Sequence, residues 1–101
     1  MEWRDIMVTI IATITVKPGM AEIFSSSFKE LATESRKEAG CISYHLFQDQ
    51  KNKELFYTVE EWQNDEAINK HVNSQHFQQA MASGAEIFAK EPDISVCTLV
   101  L

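Results

Sequence analysis

From Met7 to Val16 the side chains alternate strictly, with Val8, Ile10, Ala12, Ile14 and Val16 on one face and Met7, Thr9, Ile11, Thr13 and Thr15 on the other. A period of two with one wholly apolar face predicts a half-buried β-strand. Lys17-Pro18-Gly19 stops it, since proline lacks a backbone donor and glycine accepts the turn. Between Met20 and Ala39 the apolar residues Ile23, Phe24, Phe28, Leu31, Ala32 and Ala39 recur with a period near 3.6, and Lys29, Glu30, Glu34, Lys37 and Glu38 lie opposite. This predicts an amphipathic helix, with Gly40 as its C′ residue.

Alternation returns from Cys41 to Gln48, placing Ile42, Tyr44 and Leu46 on one side and Ser43, His45 and Phe47 on the other. The polar run Asp49 to Lys53 and the β-rich stretch Leu55 to Trp62 complete a hairpin. From Asn64 the helical period resumes in two pieces, the first carrying Ala67, Ile68 and His71, the second Phe77, Ala80, Met81, Gly84, Ile87 and Phe88. Asn73 or Ser74 is the N-cap between them, and Glu91-Pro92-Asp93 ends the second piece. Ile94 to Leu101 is then a last strand.

The order β-α-β-β-α-β predicts an α+β fold of ferredoxin-like type, a four-stranded antiparallel sheet with its helices on one face. Residues 7–101 form this single domain and 1–6 an N-terminal extension. The face left open carries Ile11, Phe47 and, depending on register, Tyr57 or Phe56. So much exposed apolar surface calls for a second copy laid sheet to sheet, hence a homodimer.

Charge narrows the partners. Nine basic residues are scattered among fifteen acidic ones for a net charge of −6, which excludes the basic face that nucleic acid requires. The longest apolar stretch is too short for a membrane span, and Met1 to Asp5 lacks the pattern of a secretory signal, so a cytoplasmic protein is expected. In strand order 4-1-3-2, Cys41 and Cys97 fall at opposite sheet edges, too far apart for a disulfide.

No phosphate loop, paired-cysteine motif or zinc-protease motif occurs. The reactive side chains gather in Glu60, Glu61, Trp62, His71 and His76. On one continuous helix His71 and His76 would stand about 140° apart, so no metal site is expected. His71 is the candidate proton acceptor, because imidazole titrates near neutral pH; the alternative is a buried histidine bonded to a neighbour. His76, at the start of a helix, reads as solvated or as a local cap. Glu60 and Trp62 share a strand face, either as a pocket wall or as a tryptophan at a strand end bonded to a loop. Tyr44 reads as core, with its hydroxyl at the rim.

These features together resemble the antibiotic biosynthesis monooxygenase family of small dimeric α+β barrels. The resemblance is carried by the opening strand into Lys17-Pro18-Gly19, by Glu-Ala-Gly-Cys at 38–41 followed by Tyr44, and above all by Phe56-x-x-x-Glu60-x-Trp62 with Ala67, His71 and His76-Phe77. It implies a sheet-to-sheet dimer and oxidation of phenols or quinols by molecular oxygen without flavin or metal. A haem-degrading branch places its ligand histidine where Met81 stands and has an asparagine in a first strand that here has none between Met7 and Val16. A branch acting on a phosphorylated quorum-signal sugar derivative lacks the tryptophan found at Trp62. The expectation is a cofactor-independent monooxygenase with His71 and Glu60 as catalytic residues. Trp62, Tyr44, Phe24, Phe28, His76, Phe77 and Met81 would bind a small aromatic or quinone-like molecule beside oxygen. The alternatives are isomerase-like processing of the sugar derivative, or a non-catalytic dimeric module that binds a small ligand.

Overall fold

The computed structural model describes residues 7–101, and the extension at 1–6 lies outside the described residues. The chain runs β1 (Val8–Thr15), α1 (Ala21–Arg36), β2 (Cys41–Gln48), β3 (Leu55–Trp62), α2 (Asp65–Val72), α3 (Gln75–Gly84) and β4 (Asp93–Cys97). The four strands form one antiparallel sheet in the order β2-β3-β1-β4, the ferredoxin-like arrangement. Cys41 and Cys97, on the two edge strands, are both free.

The register decides which side chains meet. Ile10 pairs with Glu60 and Ile14 with Phe56, so Phe56, Thr58, Glu60 and Trp62 share the helix-covered face with the apolar side of β1. Phe56 is therefore core and Tyr57 faces the other way. Ile10, Ala12, Ile14, Phe24, Phe28, Leu31, Tyr44 and Trp62 close the core, with Trp62 fully buried. At the end of α1, the Arg36 guanidinium donates twice to the Tyr44 carbonyl, from Nε at 3.0 Å and Nη2 at 2.7 Å, and ties the helix to β2. On the uncovered face Ile11 is 38% and Phe47 53% exposed.

Four expectations about local structure are corrected. Helix α1 stops at Arg36, and residues 37–40 form a turn, so Gly40 is not its C′ residue. A methyl group at Gly40 would overlap the Ala67 side chain, so this glycine lets α2 approach the turn. In β2, Cys41 pairs with Trp62 but Ser43 with Glu61, a bulge that leaves Ile42 unpaired and exposed instead of facing the core with Tyr44. Helix α3 ends at Gly84, and Ile87 and Phe88 lie in the following turn, where Phe88 bridges Val16. The last strand is Asp93–Cys97 and does not reach Leu101; among the described residues its pairing with β1 ends at Cys97 opposite Thr9. Among the described residues no helix is long and apolar enough to cross a membrane.

Candidate active site

Strand β3 sends Thr58, Glu60 and Trp62 into the core in succession. Glu60 is buried, with Oε2 accepting from the Thr58 hydroxyl at 2.9 Å and Oε1 from the Trp62 indole N–H at 3.0 Å. Burial pushes its carboxyl above the ordinary range, and the two hydrogen bonds work in the opposite direction. Both oxygens are thus engaged by neighbours on its own strand. Glu60 fixes the indole, and Trp62 forms its hydrogen bond within the sheet and not to a loop.

The second constellation lies where α2 meets α3. Asn64 caps α2 by accepting from Ala67 N–H at 2.9 Å. Ser74 accepts from Phe77 N–H at 3.2 Å to cap α3, while its own hydroxyl donates to the His71 carbonyl at 2.6 Å. The chain breaks between the helices at this serine. His71, in the last turn of α2, and His76, in the first turn of α3, therefore do not share a helix, and the 140° separation expected of a continuous one does not arise. The two rings converge on one carboxylate oxygen, Glu38 Oε2, with His71 Nδ1 and His76 Nε2 each at 2.7 Å. The geometric ground for excluding a metal thereby falls, since two nitrogens and an oxygen lie within 4.8 Å of one another.

An ionised carboxylate only accepts hydrogen bonds, so both imidazoles are the donors. A neutral His71 then carries its proton on Nδ1 and a lone pair on Nε2. That Nε2 is buried with no hydrogen-bond partner among the described residues. Its ring is packed among Trp62, Phe77 and Tyr44, at centroid distances of 4.5, 4.9 and 5.5 Å. Burial drives the Tyr44 phenol well above its ordinary range, so it stays protonated. His71 is thus buried and bonded to a neighbour through one nitrogen, while the other carries no hydrogen bond among the described residues.

A cleft of about 280 Å³ opens between α1 and α3 over Ile14 of β1. Of the residues expected to line it, Phe24, Phe28, His76 and Met81 do so. Tyr44, Trp62 and Phe77 stand behind these walls: Tyr44 stacks on Phe28 at 5.7 Å and meets Trp62 edge-on, and Phe77 packs on His71. His76 is neither merely solvated nor a cap, since it joins the cleft to the Glu38 cluster. Glu38 is the site residue that sequence reasoning missed as chemistry. It stands at the polar end of the α1 pattern, and only the approach of α2 over Gly40 carries His71 to it.

The model of the family described as antibiotic biosynthesis monooxygenase matches residues 7–83, a span that includes every site residue from Phe24 to Met81. The chain belongs to this family. It is 33% identical to YcnE of Bacillus subtilis (strain 168) over 87% of this chain and 93% of that protein. Among solved structures it is similar to PA3566 of Pseudomonas aeruginosa, with a TM-score of 0.88, 34% identity and coverage of 95% of this chain and 96% of that one. A crystal structure of an antibiotic biosynthesis monooxygenase superposes with a TM-score of 0.87 at 26% identity, covering 93% of this chain and 99% of that one.

Proposed function

We propose that the protein is a monooxygenase that oxidises a small phenol- or quinol-type aromatic with molecular oxygen, using His71 as the base. The observation that supports this is the His71 imidazole itself: Nδ1 is held by Glu38, and Nε2 is unpaired inside an aromatic enclosure beside an apolar cleft. Membership in the antibiotic biosynthesis monooxygenase family supports the reaction class.

The substrate ring enters between Phe24, Phe28 and Met81. A hydroxyl reaches Nε2 when the Phe77 ring turns aside, Phe77 being half-buried while Tyr44 and Trp62 are fixed in the core. Proton transfer to Nε2 creates an imidazolium that Glu38 stabilises and an electron-rich phenolate that reacts with oxygen. The sum balances without an outside reductant: a phenol loses two hydrogens and gains one oxygen to become a quinone, and the second oxygen atom leaves as water. Apolar walls keep water from the reactive intermediate. In the same reading a second copy covers the sheet face that carries Ile11 and Phe47.

Oxygen uptake with a panel of phenols and hydroquinones, with isotopic oxygen traced into the product, tests the reaction. His71→Ala should lower kcat by about 10²–10⁴-fold, the usual contribution of a positioned base. Unchanged turnover removes His71 from this role, and aromatic binding without oxygen uptake favours a binding module instead.

A further inference from the structure

We infer that Glu38, His71 and His76 form a binding site for a divalent transition-metal ion, and that the ion, when bound, switches the His71 base off. Two imidazole nitrogens and one carboxylate oxygen are a donor set shared by zinc sites and by non-haem iron sites that keep open positions. All three donor atoms lie within 4.8 Å of one another. Their surroundings suit an ion that keeps water as a further ligand. The His71 side chain is 4% exposed, while Glu38 and His76 keep 17% and 24% exposure, and His76 lines the cleft.

The present separations of 2.7 Å are those of hydrogen bonds. Ligands about 2.1 Å from one ion in a tetrahedron stand about 3.4 Å apart, so the two contacts to Glu38 must open by about 0.7 Å. Two of the three ligands occupy places that can shift. Glu38 lies in the 37–40 turn and His76 in the first turn of α3, while His71 is wedged among Tyr44, Trp62 and Phe77. On binding, the two ring protons now donated to Glu38 move to the opposite ring nitrogens, so both histidines ligate as neutral imidazoles.

The consequence for His71 follows from imidazole chemistry. A neutral ring that ligates through Nδ1 carries its proton on Nε2, so the buried atom changes from acceptor to donor and can no longer take a proton from a hydroxyl. This half of the inference rests on His71 as the base; the site itself does not.

Protein stripped with EDTA and titrated with zinc chloride by calorimetry, without any aromatic substrate, should bind one equivalent per chain. Cobalt(II) should give the visible absorption of a low-coordinate site. Glu38→Gln and His76→Ala, with their folds checked by circular dichroism, should each weaken binding on the order of 100-fold. His45→Ala, which removes the histidine outside the cluster, should not. Absence of stoichiometric binding, or binding that survives both cluster substitutions, overturns the site. NMR of the histidine ring nitrogens should show the His71 proton moving to Nε2 on zinc addition; a proton that stays on Nδ1 overturns the switch. Where a phenol is turned over, zinc should suppress oxygen uptake and EDTA restore it, and uptake unchanged with the site filled likewise overturns the switch. Failure of every phenol as substrate would count against the oxygenase reading and leave the calorimetric result standing.

Discussion

Replacing Trp62 with phenylalanine removes one N–H from a buried carboxylate and part of a ring from the core. The Glu60 Oε1 that accepted from the indole at 3.0 Å is left without a donor, and at 6% exposure water cannot replace it. A hydrogen bond to a charged group contributes about 1.5–3 kcal/mol. The smaller ring leaves a void worth about 1 kcal/mol more, since Trp62 is fully buried. Trp62→Phe should therefore lose roughly 2.5–4 kcal/mol at pH 8, by addition of these two.

The loss should depend on pH. Burial raises the Glu60 carboxyl in the folded protein, so its stabilising contribution is complete below the ordinary carboxylate range and is lost as pH rises through the folded-state value. Removing the indole donor raises the folded-state value further. The gap between variant and wild type should thus be smallest near pH 4, where the carboxyl is protonated in both, and should widen above the wild-type folded value. Urea unfolding followed by circular dichroism at pH 4 and pH 8, at one fixed protein concentration, measures it. In a Glu60→Gln background the pH-dependent part should vanish, because an amide does not ionise over this range. A destabilisation equal at both pH values and unchanged in that background would refute the coupling.

Three further substitutions follow. Gly40→Ala, which drives a methyl group into Ala67, should cost about 1–3 kcal/mol in thermal unfolding and weaken the His71–Glu38 contact, seen as a changed His71 ring signal by NMR. Ser74→Ala removes the cap of α3 and the bond to the His71 carbonyl, and should cost about 1–2 kcal/mol by chemical denaturation. Ile11→Lys places a charge at the centre of the open sheet face, and sedimentation at micromolar concentration should show the wild type as a dimer and the variant as a folded monomer; a wild-type mass near 11.5 kDa would refute the two-fold assembly.

Strand β3 was legible to the residue, because alternation and flanking turns are local properties of Leu55 to Trp62. The sheet order was equally readable, and the cap between the helices was narrowed to Asn73 or Ser74, of which Ser74 is the one used. Ile42 was not, since a bulge belongs to a pair of strands and leaves no mark in the alternation of one. Ile87 and Phe88 keep the helical period beyond Gly84, yet the chain turns there so that Phe88 can bridge Val16, a contact across about seventy residues of sequence. At the site, Phe24, Phe28 and Met81 line the cleft as expected, whereas Tyr44, Trp62 and Phe77 stand behind it. Glu38 could not be named, because a carboxylate at the end of an amphipathic pattern looks like any solvated one until Gly40 admits Ala67 and α2 brings the imidazole down.

Strand β2 is an edge of the sheet, and an edge offers unpaired backbone groups to any other extended chain. Here that template is spoiled twice within four residues. The bulge at Ile42 throws the backbone out of regular spacing, and the Arg36 guanidinium occupies the Tyr44 carbonyl. An incoming strand would have to displace a doubly bonded arginine and match a kinked partner. The chain can therefore carry Ile42 and Phe47 exposed on this strand without offering them as a seed for fibrillar stacking.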